Sequence, residues 1–387
     1  MQPNDLLTGD LRIGVEHRVR FCRAALEATS GTTPPIVEEL ARLPRTATGF
    51  RPRMLPVVDG GFAAANPDFA ARLRRTIESA GSAMPAIDEP LVVPGGEGSK
   101  SDPAVLESIL NALDRGRICR QSVVLAIGGG AVLDVVGYAA AIFHRGVRLL
   151  RMPTTTLAQD DAAMGVKNGI NHRGKKNLLG TFAVPTSVLC DLDLLGTLAD
   201  RDWRSGFAEA VKIAVIRDET FFARLERDAK AIRERDRSAS EPVIRRSAEL
   251  HYRHILEGGD PFELGTARPL DFGHWAAHRL ESMSNHRLRH GEAVAIGVAL
   301  DSTIAMLDGH IDETTQRRIV ATLLELGLPI TAPELDDLDG LMQGVEEFRE
   351  HLGGVATVAM PIRLGASAEV QPPGREEVAA AIAILQR

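Results

Sequence analysis

The apolar positions change period part-way along the chain. In the first half, short β-rich runs alternate with segments whose apolar residues recur every three or four positions. MLPVVD at 54–59 reads as a strand, with a helix over Phe69–Ala80 behind it. LVVPGG at 91–96 reads as a second strand ending in a glycine turn. SDPAVLESILNAL at 101–113 reads as a helix with an N-cap pattern and a proline in its first turn. SVVLAIGGG at 122–130 and VRLLRMP at 147–153 are further strands, the first buried and running into glycines. Strand–helix alternation of this kind predicts a parallel sheet with helices on its faces.

After about Leu195 the strand signals thin out. Segments 203–235, 241–257, 271–285, 291–308 and 313–326 carry helical periodicity or helix-forming composition. The expected architecture is α/β, with a Rossmann-like domain over 1–195 and an all-helical domain over 196–387. Residues 1–45, with GTTPP at 31–35, are expected to form a loosely packed extension, and RERDRSAS at 233–240 an exposed charged loop.

Bulk properties narrow the class. A chain of 387 residues with 44% hydrophobic and 25% charged content suits a globular enzyme of two domains. A net charge of −7 argues against nucleic acid or an anionic membrane as partner. Cys22, Cys119 and Cys190 have neither metal nor redox spacing, which fits a reducing compartment. No run approaches the ~18 uninterrupted apolar residues of a membrane span, and MQPNDLLTGDLRIGVEHRVRF lacks a signal-peptide core. The expected location is the cytoplasm.

Three turns carry nucleotide chemistry. GGGAVLDVVG at 128–137 follows a strand and opens a helix, as a phosphate-cradling turn must, although it is not a GxGxxG fingerprint. PGGEGSK at 94–100 offers Glu97 for sugar hydroxyls and Lys100 for charge. Pro153-Thr154-Thr155 ends the next strand. In an open parallel sheet all three lie beyond strand C-termini, where ligands bind.

A histidine cluster follows. His274 and His278 share one helical face at i,i+4, and His290 opens the apolar helix 291–307. With the carboxylate of Glu209, which interrupts the apolar run GFAEAVK, they suit zinc; spacing does not say which histidine is the odd one out. His172, His251, His254, His286 and His310 read as surface residues. Lys167 and Lys212 fall in apolar stretches, where an unpaired ammonium is costly, so an anionic ligand or Asp160 and Asp161 should compensate them. Lys175 and Lys176 follow close by.

These motifs together resemble the sugar phosphate cyclase superfamily, whose best-known member is 3-dehydroquinate synthase. PTTTLAQDDAAMGVKNGIN is similar to that family's PTTxLAQxDxxxGxKxGIN, and GKKNLLG to its GKNxxG. GFAEAVK, LDFGH and HGEAVAIG match its metal-bearing motifs in order. The resemblance implies a homodimer binding NAD and one divalent metal, zinc or alternatively cobalt. It implies Glu209, His274 and His290 as metal ligands, leaving His278 facing substrate. Asp161, Lys167, Lys176, Asn177 and Lys212 match substrate-contacting positions, and Arg145 an arginine that reaches the neighbouring subunit's phosphate site. Arg268, Asp271 and His351 are further substrate-binding candidates. Asp59, Glu97, Lys100, Gly129, Gly130, Asp134, Thr154, Thr155, Thr197 and Leu198 match NAD-contacting positions.

Departures from the pattern select a branch. Dehydroquinate synthases carry Asn where this chain has Asp271, and Asp-Lys-Lys where it has EEFREHLGG at 346–354. A substrate carboxylate near Asp271 would be repelled by several kcal/mol at an effective dielectric of about 20. LDFGH and EFREHLGG resemble instead the sedoheptulose 7-phosphate cyclases, and histidine at 278 resembles the 2-epi-valiolone synthases or the Ebo-operon-type branch. The expected reaction converts a heptulose phosphate to a C7 cyclitol. It runs through transient NAD oxidation, β-elimination of phosphate, re-reduction and intramolecular aldol closure. His278 is the proton-transfer candidate, Asp161 would orient a hydroxyl, and Lys167 and Lys212 complete the catalytic set. The rivals are 3-dehydroquinate synthase, a glycerol-type NAD- and metal-dependent dehydrogenase, and a non-catalytic homologue.

Overall fold

The computed structural model describes residues 14–28, 31–44, 50–258, 269–352 and 357–387, with backbone alone at 351 and 352. Arg268 and the His351 side chain therefore lie outside the described residues.

The first half builds one parallel sheet. Its elements are β1 (Val19–Cys22), α1 (Pro35–Ala41), β2 (Arg53–Asp59), α2 (Gly60–Ala65), α3 (Phe69–Ser79), β3 (Ala86–Ile87) and β4 (Leu91–Val93). Next come α4 (Gly98–Ser101), α5 (Pro103–Arg115), β5 (Val123–Gly128), α6 (Gly130–Ile142), β6 (Arg148–Pro153) and α7 (Thr156–Asp160). The hairpin β7 (Lys167–His172) and β8 (Lys175–Phe182) precedes β9 (Ser187–Asp191). The strand order is β1-β9-β6-β5-β2-β3, with β4 also on β2, and every pair in this sheet is parallel. The chain runs from β2 to one side and from β5 to the other, so the topological switch lies between their C-terminal ends, Asp59 and Gly128.

The second half is mainly helical: α8 (Asp200–Arg217), α9 (Glu219–Arg233), α10 (Arg237–Glu257), α11 (His274–Met283), α12 (His290–Leu307) and α13 (Glu313–Glu325). It continues with α14 (Leu338–Leu352), the antiparallel hairpin β10 (Val358–Arg363) and β11 (Ala366–Val370), and α15 (Arg375–Leu385). By length and composition α12 could cross a membrane, but it is 78% buried inside the fold. It is the axis of the helical core, packed by α8, α11, α13 and α15.

Several expectations are corrected. Residues 14–28 and 31–44 are no loose extension: β1 extends the sheet beside β9, and Ile36 and Leu40 of α1 enter the core. Arginines disguise this strand: Arg18 just before it and Arg20 within it pair with Glu39 and Glu38 of α1. The span 203–235 is two helices, broken at Asp218, whose carboxylate caps α9 at the Phe221 N–H. Only 234–236 of the expected charged loop is non-helical, because Asp236 caps α10 at the Ala239 N–H. The hairpins β7–β8 and β10–β11 are additions to the expected set of strands.

Candidate metal and phosphate site

Close helix packing assembles the metal-ligating side chains. A Cβ at Gly291 would lie 1.8 Å from the Ser205 carbonyl oxygen, and one at Gly297 would lie 2.0 Å from that of Gly273. Glycine at these places lets α12 approach α8 and the start of α11, so that Glu209, His274 and His290 meet. Their ligand atoms all lie within 4.8 Å of one another. His274 Nε2 is 3.4 Å and His290 Nε2 3.3 Å from Glu209 Oε1.

The donor set suits a divalent cation. Glu209 is fully buried, and neither of its oxygens makes a hydrogen bond of acceptable geometry. The nearby Lys212 ammonium, 2.6 Å from Oε2, and then His274 hold this carboxyl well below its usual range despite burial. His274 Nδ1 donates to the Phe272 carbonyl at 3.1 Å, and His290 Nδ1 donates to Glu281 Oε2 at 3.0 Å. Both partners orient the rings with Nε2 toward Glu209, as outer partners of a metal site do. Burial would lower His290, but Glu281 and Glu209 outweigh it and raise its pKa to about 9 in the absence of a cation. His278 stacks 5.9 Å from His290, and burial, Lys176 and His274 push its pKa well below 6.5.

Lysines gather beside this cluster. Lys176 Nζ reaches Glu281 at 2.8 and 3.0 Å. Burial opposes its charge, but Glu281 and Glu97 overcome that and raise its pKa. Lys100 is buried and pairs with Asp134 at 2.6 Å and with the Asn177 side-chain oxygen at 2.5 Å. Glu97 accepts from Asn171 at 2.9 Å. Lys212 is buried and held charged by Glu209 and Asp161, whereas Lys167, expected in apolar surroundings, is exposed at the start of β7. Burial and then Asp161 push the Asp160 carboxyl well above the usual carboxylate range, with Lys212 acting against them. Arg145 is exposed with φ +63° in the turn after α6, and Asp271 ends a short helical turn before α11.

The sheet end offers a cradle for a dinucleotide. Gly129 opens α6 without a side-chain cap, so the first amides of a 13-residue helix are bare. Thr154 and Thr155 lie at the neighbouring strand end, and Thr155 caps α7 at the Ala158 N–H. Asp59 caps α2 at Gly61 and Phe62. Thr197 accepts from Asn66 at 2.9 Å, next to Leu198.

Two site residues escaped sequence reasoning. His251, read as a surface residue, is fully buried, with Nδ1 donating to the Ser247 carbonyl at 2.9 Å and Nε2 3.4 Å from Asp161. The spacing Ser240, Val243, Ile244, Ser247, Ala248, His251 would have put it on the buried face of α10. Glu281 continues the face of His274 and His278 at i+7 and i+3, the available signal for it.

Comparison with known proteins agrees with this geometry. Residues 90–205 match the 3-dehydroquinate synthase N-terminal family and residues 206–347 its C-terminal family. A 3-dehydroquinate synthase of Pelobacter propionicus is 38% identical over 69% of this chain and 73% of its own length. The chain belongs to the 3-dehydroquinate synthase family of sugar phosphate cyclases. Another family member, the 2-epi-valiolone synthase of Actinosynnema mirum, is 35% identical over 75% of this chain and 76% of its own. The solved 2-epi-5-epi-valiolone synthase of Streptomyces hygroscopicus, with NAD+ and Zn2+ bound, superposes with a TM-score of 0.85. It is 27% identical, covering 98% of this chain and 99% of that one. The Rossmann-like sheet and helical second half are thus the family fold, and the chain is an enzyme of that family.

Proposed function

We propose that this enzyme closes a phosphorylated heptulose, sedoheptulose 7-phosphate, to a C7 cyclitol of the valiolone type with loss of phosphate. One observation carries the reading: Glu281 joins Lys176 to His290, so a phosphate at the lysine and a hydroxyl near the metal trio can belong to one small molecule. A dehydrogenase acting on an unphosphorylated alcohol has less use for that lysine. Among cyclases, Asp271 favours a polyol over a carboxylated sugar. It adds a third carboxylate, with Glu209 and Asp161, to the field around Lys212. The likeness to a 2-epi-valiolone synthase supports the same choice. The 38% identity to a 3-dehydroquinate synthase makes that activity the second reading.

Glu209, His274 and His290 would hold the metal, zinc or cobalt. The amides of Gly129 and Gly130, with Asp59, Glu97, Thr154, Thr155, Thr197 and Leu198, would hold NAD, and Lys100 and Asp134 would brace that end as an ion pair. When bound, the metal supplies a Lewis acid at a substrate hydroxyl, and NAD a reversible hydride acceptor. Lys167 and Lys176 neutralise the phosphate and the Asn177 amide hydrogen-bonds to it as its C–O bond breaks, and the phosphate's own oxygen serves as base. Arg145 of a second copy completes that pocket in a homodimer, consistent with Leu178, Leu179 and Phe182 exposed on β8. His278, held neutral, takes and returns the proton of a ring hydroxyl. Asp161 orients a neighbouring hydroxyl, and Lys212 keeps Glu209 ionised. Arg268 and His351 are assigned to the substrate from the family resemblance alone. The three free cysteines fit a cytoplasmic enzyme.

The test is phosphate release with NAD and zinc, offering sedoheptulose 7-phosphate and the carboxylated substrate of 3-dehydroquinate synthase in parallel. Release from the heptulose alone is expected. Release from the carboxylated sugar alone would replace this reading with the second.

A further inference from the structure

Glu281 belongs neither to the metal trio nor to the phosphate lysines, yet it touches both. Its carboxylate is buried at 2% exposure. Oε2 accepts from His290 Nδ1 at 3.0 Å and from Lys176 Nζ at 2.8 Å, and Oε1 takes a second contact from Lys176 at 3.0 Å. His290 and Glu281 stand on α12 and α11 of the helical half, whereas Lys176 comes from the hairpin of the sheet half. One oxygen is therefore shared by the ring that faces Glu209 and by the ammonium offered to phosphate.

Sharing has a direction. An anion arriving at Lys176 draws off part of the charge that neutralises Glu281. The carboxylate then accepts more strongly from His290 Nδ1–H, and the opposite nitrogen, Nε2, becomes a better electron donor to a cation. The effect is mutual, because a coupling between two binding sites is the same read from either side.

We propose that Glu281 is a positioning residue that couples the two ends of the site, so that phosphate at Lys176 and metal at His290 each tighten the other's binding. The inference rests on the reading of His290 as a metal ligand and Lys176 as a phosphate group. A buried ion pair that merely pins the hairpin to α11 would affect stability and leave no such coupling.

The experiment titrates zinc into metal-stripped, NAD-loaded protein against a chromophoric chelator, with and without inorganic phosphate. In the wild type, phosphate should tighten zinc by about 5- to 20-fold, within the usual span of site–site couplings. Glu281→Gln should weaken zinc by about 10- to 100-fold, as outer-partner substitutions do, and bring the phosphate effect within about twofold of none. Lys176→Met, which withdraws the ammonium from Glu281 permanently, should lose the phosphate effect and bind zinc at least as tightly as the wild type, which keeps the test decisive even if the Glu281→Gln protein does not fold. Wild-type zinc binding that is unaffected or weakened by phosphate overturns the coupling. So does a phosphate effect that survives either substitution. Both outcomes leave the metal site standing, whereas a wild type that binds no zinc removes the metal reading and this inference with it.

Discussion

Asp301 offers a quantitative test of how the metal-site helices are held. It lies in the middle of α12, fully buried, and accepts the Gly273 N–H at 2.8 Å and the Trp275 indole N–H at 2.9 Å. Those two donors flank His274. Burial pushes the Asp301 carboxyl from its ordinary 3.8 to about 7, and the two hydrogen bonds only partly offset it. The unfolded chain releases this proton near 3.8 and the folded chain keeps it to about 7. The group's favourable contribution is therefore complete below the lower value and lost as pH rises to the upper. Between about pH 5 and about pH 7.5 the loss is on the order of 2–3 kcal/mol. Asp301→Asn cannot titrate; its carbonyl keeps one donor while its amide faces the other, a pH-independent cost of about 1–3 kcal/mol. Both tryptophans, Trp203 and Trp275, sit in the helical half, so urea unfolding followed by their fluorescence reports that half. The stability of wild type relative to the variant should fall by about 2–3 kcal/mol across that pH interval. Curves that stay parallel to within about 0.5 kcal/mol would refute a carboxyl held neutral by burial.

Three further outcomes follow from the same geometry. Gly297→Ala sets a methyl 2.0 Å from a backbone oxygen that cannot yield, so it should cost about 3 kcal/mol in thermal or urea unfolding and weaken zinc binding; wild-type values in both would contradict the packing argument. Buried Arg151 donates to the carbonyls of Ala163, Gly165 and Lys167 and to the Asn168 side chain. Arg151→Met should therefore cost about 3 kcal/mol and raise KM for the phosphorylated substrate, because the loop from Asp161 to Lys167 loses its support. The acid limb of phosphate release should fall below pH 6.5, since burial, Lys176 and His274 keep His278 neutral, and His278→Asn should abolish that limb along with most of the rate. An unchanged pH profile in that variant would remove the proton-transfer role.

The sheet and the metal-bearing helices were legible because their signals are local. A β-branched run into glycines at 123–130 and an i,i+4 histidine pair need no knowledge of the rest of the chain. What was hidden depends on partners distant in sequence. Arg18 and Arg20, beside and within β1, look like a charged surface until Glu39 and Glu38 of α1 are known to meet them. His251 looks exposed on composition, yet α7 and α8 cover its face of α10. Glu281 would pass for an ordinary helix carboxylate, and only tertiary structure sets it between Lys176 and His290.

The central claim is that one site eliminates phosphate while returning its cofactor unchanged. Its most direct test records inorganic phosphate and NADH absorbance together during many turnovers of sedoheptulose 7-phosphate by the NAD- and zinc-loaded enzyme. The account predicts phosphate accumulating far beyond the enzyme concentration, with NADH never exceeding the number of sites. NADH rising turnover by turnover without phosphate would contradict it and make the protein a dehydrogenase on the same fold.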